Sequence, residues 1–261
     1  MKIQHTVAVN GSAENIRQFA GSGFALSPGF QTIEITEDDA RWPKVLQLVH
    51  EHGIGAITYT TTKFTEEEIR SAQWLEMFAT SHHGYPQPED SYREATYRDA
   101  CEECGIPGEQ FAPFRFRKDP ALRSTQVLQL NWVFDQFFMR PETWEAVFRP
   151  VGVGTWPTVL HKHSSTLDSL VQLNISTILD LKMGGGEWPF EICPRCGKQK
   201  FAHIVRGFLP PPAEPTHAQI FKSSQYFGSG HSASRLTMVS SQLYTAIKQQ
   251  RLRGIGFRPC R

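Results

Sequence analysis

Hydrophobic positions recur along this chain with two different periods, and the interleaving of the two predicts a mixed architecture. Ile33 and Ile35 lie in a two-residue repeat that ends at Thr36, as a short strand with one buried face requires. A helix then starts at Asp38 or Asp39. Trp42, Val45, Leu46 and Val49 fall at i, i+3, i+4 and i+7, and Gly53 is placed to stop it. Pro43 is tolerated because amides of the first turn have no intrahelical acceptor. Residues 54–62 are rich in β-branched side chains and read as a strand. Thr65 and Glu68 have the spacing of a capping box, and Glu66 and Glu67 suit the positive end of a helix dipole. Ile69, Ala72, Leu75 and Phe78 continue from it as a stripe at helical spacing.

Residues 82–90, with Pro86 and Pro88, break this pattern and mark a boundary. The expected division is an N-terminal α/β region, residues 1–90, and a larger mixed domain, residues 91–261. In the second part Phe114 and Phe116 alternate with Arg115 and Arg117 as in an exposed strand, and residues 126–132 are a further strand candidate. Residues 141–148 predict a short helix with Pro141 in its first turn. Residues 158–176 read as one or two strands around a turn near Ser164 and Ser165, and Gly184, Gly185 and Gly186 as a flexible connection towards Cys193. Residues 201–205 suggest a strand, and Pro210, Pro211, Pro212 and Pro215 a loop. The tail reads as a strand at 236–239, a cap at Ser240 or Ser241, a helix carrying Leu243, Ile247 and Leu252, then Gly254 and a last strand at 255–257. The class these elements predict is α+β.

Composition narrows the function classes. The 261 residues carry 27 Lys+Arg against 26 Asp+Glu, a formal charge of +1, and are 39% hydrophobic, enough for a packed core. A nearly neutral balance gives no reason to expect a nucleic-acid backbone or an anionic membrane as the main partner. No run of about 18 apolar residues predicts a transmembrane helix, and residues 1–10 lack the apolar core of a signal peptide. The expected compartment is therefore a reducing cytoplasm, where paired cysteines suggest metal more than disulfide.

Five cysteines are present, and four of them form a pattern. Cys101-Glu102-Glu103-Cys104-Gly105 and Cys193-Pro194-Arg195-Cys196-Gly197 are each C-x-x-C followed by glycine. Two-residue spacing lets one tight turn supply two thiolates at about 2.3 Å from a tetrahedral zinc, and the glycine permits the positive φ of such a knuckle. Two knuckles imply one four-thiolate zinc site per chain, with a sizeable insert folded between its halves. Four thiolates leave no open position for water, so the expected role is structural. A thioredoxin-like redox motif would use one C-x-x-C opening a helix, which Gly105 and Gly197 disfavour; two unrelated pairs of free thiols are the other alternative. Cys260 reads as a free thiol outside the site.

Other candidates carry less. His161 and His163 flank Lys162 and would point to one side of a strand, but no carboxylate with convincing spacing accompanies them, and exposed histidines are the simpler reading. Asp135 stands among aromatics in Trp132-Val133-Phe134-Asp135-Gln136-Phe137-Phe138, where a functional acid competes with a hydrogen-bonded structural one. Residues 228–233 fit G-x-G-x-x-A, but a dinucleotide site needs that turn to open a helix, and residues 235–239 read as strand. No constellation predicts an enzyme.

The two C-x-x-C-G knuckles (Cys101, Cys104, Gly105; Cys193, Cys196, Gly197), the Val239-Ser240-Ser241-Gln242-Leu243-Tyr244 helix start and the Gly254-Ile255-Gly256-Phe257-Arg258-Pro259 ending together resemble the bacterial double-CxxCG-motif proteins. The resemblance covers about the last two-thirds of the chain. It implies an immunity protein that neutralises a contact-delivered or polymorphic toxin by binding it, with zinc holding the fold. The alternatives are a zinc-ribbon nucleic-acid-binding protein, for which Arg195, Lys198, Lys200, Arg115 and Arg117 would form a basic patch, and an enzyme using His161, His163 or Asp135.

Overall fold

Residues 2–11 bury alternate side chains, His5, Val7 and Val9, and they form the middle strand of a three-stranded antiparallel sheet. Strand β1 (Lys2–Gly11) lies between β2 (Gly29–Thr36) and β3 (Ala56–Lys63), with Val7 opposite both Ile33 and Ile57. Helices α1 (Ala13–Ala20), capped by the Ser12 hydroxyl, and α2 (Trp42–His50) supply Phe19, Trp42, Val45 and Leu48 to a core with Val7, Val9, Ile33 and Ile35. Helix α2 starts at Trp42, later than Asp38 or Asp39. The Asp39 carboxylate instead accepts from the Arg41 amide and guanidinium and shapes the turn before the helix. In the computed structural model, which describes residues 1–122, 124–184 and 188–261, these elements belong to a smaller unit of Met1–Glu68 and Ile204–Gly207. The larger unit comprises Ile69–His203 and Phe208–Arg261. Thr62 joins the two pieces of the smaller unit: its hydroxyl donates to Val205 O at 3.0 Å and accepts from Gly207 N–H at 2.9 Å.

His5, 1% exposed, is the polar centre of the smaller unit. Its ring stacks on Trp42 at 4.3 Å, with Thr60 Oγ1 2.9 Å from Nδ1 and Glu37 Oε1 3.0 Å from Nε2. Arg206 Nη2 approaches the same carboxylate at 2.8 Å. The hydrogen bond with His5, and then the Arg206 guanidinium, hold the Glu37 carboxyl below its ordinary value of 4.5.

The Thr65–Glu68 capping box forms in both directions: Thr65 N–H donates to Glu68 Oε2 at 2.8 Å, and Glu68 N–H to Thr65 Oγ1 at 3.1 Å. The helix it opens, α3 (Glu66–Ser71), is short, and the helical stripe expected through Leu75 and Phe78 is a strand instead. Strand β4 (Trp74–Ala79) runs between β16 (Ser232–Ser240) and β17 (Ile255–Pro259), with Leu75 opposite Val239 and Pro259. Tertiary pairing overrides the period here, because every residue of β4 but Phe78 is buried, and an apolar run covered on both faces carries no reliable period.

That sheet has the order β13-β14-β15-β16-β4-β17, with β13 (Phe190–Ile192), β14 (Gln199–Phe201) and β15 (Ile220–Ser229); β12 (Ile178–Leu179) also pairs with β15. Helix α6 (Ser241–Gln249) is capped by Ser240, whose Oγ accepts from Leu243 N–H at 3.1 Å. Leu243 and Ile247 pack with Leu75, Met77, Phe137 and Phe148.

The second sheet of the larger unit has the order β7-β10-β11-β9-β8: β7 (Arg115–Phe116), β8 (Val127–Leu128), β9 (Phe138–Met139), β10 (Gly154–Leu160) and β11 (Thr166–Asn174). Phe114, Phe116, Leu128, Phe138 and Leu170 form its core. The strand expected over 126–132 is cut to Val127–Leu128, and the chain turns at Asn131 and Trp132. Between β9 and β10, α5 (Pro141–Thr143) continues as a wider π-turn over Trp144–Phe148. The strand expected over 201–205 ends at Phe201, and from Ile204 the chain belongs to the smaller unit. Helix α4 (Tyr92–Thr96) leads into the small hairpin of β5 (Tyr97–Arg98) and β6 (Glu109–Gln110). The α+β class expected from the pattern is the class of the fold. Gly185 and Gly186 of the expected connection lie outside the described residues.

Candidate metal centre

Each C-x-x-C-G segment is the loop of a short antiparallel hairpin, and the two loops fold alike. The first joins β5 to β6, the second β13 to β14. In the first, Gly105 N–H donates to Cys101 O at 2.9 Å and Cys101 N–H to Ile106 O at 3.0 Å; in the second, Gly197 N–H donates to Cys193 O at 2.9 Å and Cys193 N–H to Lys198 O at 3.0 Å. Both glycines take left-handed backbone, φ 72° at Gly105 and 69° at Gly197, which side-chain-bearing residues adopt at a cost.

The insert brings the two knuckles together. Cys101 Sγ lies 3.8 Å from Cys193 Sγ, Cys104 Sγ lies 3.7 Å from Cys196 Sγ, and all four sulfurs fall within 4.8 Å of one another. A disulfide would need about 2.05 Å, so none is formed. A tetrahedron of sulfurs at about 2.3 Å from a central ion has edges of about 3.8 Å, and the Cys101–Cys193 and Cys104–Cys196 separations match it. The four cysteines thus fit a structural metal.

Backbone amides reinforce the donor set. The Cys101 thiol is lowered to about 6, first by the Cys104 N–H, while burial pushes the Cys104 thiol up to about 12 despite the Ile106 N–H. One thiolate is therefore stabilised by the knuckle and a second resisted by burial, a conflict that a divalent cation removes by deprotonating its ligands. Cys101, Cys104 and Cys193 are buried and pack with Ile106, Tyr226 and Ala233.

No protein-family model matches the chain, and no curated protein is significantly similar to it.

Around the sulfurs, the first knuckle is fastened from three directions. Arg195 of the second knuckle pairs with Glu102 of the first at 3.0 Å. His231, in the turn between β15 and β16, places Nδ1 3.0 Å from Glu102 O. Lys200 on β14 is 1% exposed; its Nζ donates to Cys104 O at 3.1 Å and to Gly230 O, and pairs with Glu191 at 2.8 Å. Sequence reasoning missed this buried lysine. Its acceptors lie far off in the chain and no local pattern marks them.

The basic patch considered for nucleic acid is not laid out as the sequence suggests. Lys200 points inward, Arg195 is paired, and Arg115 donates to Ser164 Oγ at 3.0 Å. His161 and His163 lie in the turn between β10 and β11, exposed, instead of side by side on a strand. Asp135 is 5% exposed, and Lys222 Nζ stands 3.8 Å from its carboxylate. Burial lowers the Lys222 ammonium from its ordinary value, with Asp135 opposing. None of these three residues joins the cysteine cluster. Residues 228–233 form the tight turn of the β15–β16 hairpin. Cys260 is buried away from the cluster, with its N–H on Trp74 O. Among the described residues no helix is long and apolar enough to cross a membrane.

Proposed function

We propose that the chain is a zinc-stapled, non-catalytic binding protein of the immunity type, whose partner is a toxin of bacterial competition. The observation that carries the reading is the closed donor set: four sulfurs within 4.8 Å of one another, on two matching knuckles. Four thiolates fill the coordination sphere of a tetrahedral ion, so the metal has no position left for water or substrate and its contribution is to the fold. Zinc is the ion, because a closed all-thiolate tetrahedron with no redox chemistry asked of it is the usual structural zinc site. Activity then resides on the surface that the staple holds in place. The doubled C-x-x-C-G pattern and the capped helix and strand that close the chain support the immunity reading by resemblance. The protein acts in the bacterial cytoplasm, where a delivered toxin would meet it.

The test is co-expression with the toxin encoded beside the gene. Restored growth and a stoichiometric complex on gel filtration are expected. Continued toxicity with no complex would overturn the reading, and salt-dependent binding of DNA or RNA by the purified protein would replace it.

A further inference from the structure

The turn between β8 and β9 presents a tryptophan to solvent in a conformation that bulky residues rarely adopt. Trp132 has φ 68° and is 48% exposed. It does not stand alone. The Tyr85 ring centroid is 4.4 Å from it, and the Tyr92 ring lies 6.3 Å away and within 27° of parallel. Tyr92 and Trp132 line an open groove together with Arg93 and the carboxylates of Glu89, Asp90, Glu94 and Glu102.

Among the described residues, the carboxylates of Glu89, Asp90 and Glu94 make no ion pair and accept no hydrogen bond; Glu102 pairs with Arg195 at 3.0 Å. A second cavity shares Tyr92, Arg93 and Trp132 with the groove and reaches Tyr97 and Asp135. The Asp135 carboxylate is nine-tenths buried and is paired with Lys222, whose Nζ stands 3.8 Å away. The lining therefore combines aromatic rings with a mostly negative charge. The cation already inside it behaves accordingly: Arg93 holds its guanidinium 5.8 Å from the Tyr92 ring centroid and donates to His231 O at 2.7 Å.

We propose that this groove receives an arginine side chain from an extended basic segment of a protein partner. A guanidinium suits it better than an ammonium, because its planar face stacks on tryptophan and tyrosine while its edge donates to carboxylates in pairs. An exposed tryptophan among carboxylates gives a cationic partner both contact area and direction, and anchors of this kind dominate protein interfaces. The inference rests on the protein-binding reading above and deepens it, since it names the binding face and the chemistry of the partner.

The experiment titrates the purified, metal-loaded protein with a Gly/Ser peptide carrying two arginines, following tryptophan fluorescence and calorimetry. The control is the same peptide with both arginines replaced by citrulline, a neutral isostere. Saturable binding of the arginine peptide is expected, about tenfold or more tighter than the citrulline peptide, and weakened about tenfold by Trp132→Ala and by the paired Glu89→Gln/Asp90→Asn change. Both variants alter exposed side chains and should keep the metal content and melting temperature of the parent. Absence of saturable binding, equal binding of the two peptides, or full binding by both variants would overturn the proposal. Should the neighbouring toxin be neutralised equally by wild type and Trp132→Ala, the groove falls while the immunity reading stands. Peptide binding with no neutralisation would have the opposite meaning.

Discussion

Gly105 lies so close to His231 that a β-carbon added to it would sit 2.0 Å from the His231 carbonyl oxygen and 2.7 Å from Ser232 N. The first knuckle is thus pressed against the backbone of the β15–β16 turn. Gly197, at the same place in the second knuckle, would carry a β-carbon with nothing within 4 Å. Both need left-handed backbone, but only Gly105 also needs the missing side chain.

The two alanine variants should therefore separate. Gly197→Ala bears only the conformational cost, about 1–2 kcal/mol. Gly105→Ala bears that cost and a backbone collision that no rotamer relieves, roughly 3 kcal/mol or more. Urea denaturation of the metal-loaded proteins measures the difference. Equal midpoints would mean that the close packing of Gly105 on His231 is absent in solution.

Metal content tests the sulfur cluster directly. One zinc per chain is expected by elemental analysis, and Cys196→Ser should lose most of it. Because a structural zinc contributes on the order of 10 kcal/mol to folding in small zinc-finger peptides, the variant should unfold at markedly lower temperature, and a chelator should bring wild type towards the same value. Cys260→Ser, outside the cluster, should keep its zinc. A Cys196→Ser protein with full zinc and an unchanged melting temperature would refute the shared site.

What the sequence made legible follows from how local each signal is. The capping box at Thr65 and Glu68, the Ser240 cap and the knuckle glycines depend on neighbours three to five residues away, and all form as the spacing implies. Leu75 and Phe78 misled because their period matched a helix while β16 and β17, far along the chain, claimed the segment as a strand. Lys200 is the sharper case. Counted among basic residues of a surface patch, it is instead buried, and its carbonyl acceptors lie 96 and 30 residues away. Charge read along a chain says nothing about which cations fold inward.

That lysine gives a further prediction. Its contribution can come from the two backbone carbonyls it satisfies or from its ion pair with Glu191, whose carboxylate side chain is 62% exposed. Solvent screening leaves the pair worth about 0–1 kcal/mol, whereas stranding the buried Cys104 carbonyl costs about 1–3 kcal/mol; the Gly230 carbonyl, in an exposed turn, can turn to water. Glu191→Gln should therefore be nearly silent and Lys200→Met should destabilise by about 2 kcal/mol, as read from denaturant midpoints. The reverse ranking would place the stabilisation in the ion pair.

The smaller unit carries an acid-sensitive contact of known sign. In the folded protein the Glu37 carboxyl is held below 4.5, chiefly by its hydrogen bond with His5 and then by Arg206. A group whose folded value is depressed binds its proton more readily in the unfolded chain, so its stabilisation is complete above the unfolded value and disappears as pH falls through the folded one. Glu37→Gln removes the charge and with it this dependence. At neutral pH the variant should be the less stable. From about pH 5 downward the gap between the two proteins should shrink, closing once wild-type Glu37 is protonated. Amide hydrogen exchange at residues of β1 and β2, which lie in this unit, measures the effect. A gap that stayed constant from pH 7 to pH 3 would show that the carboxylate of Glu37 does not bear the charge that holds His5 and Arg206 together.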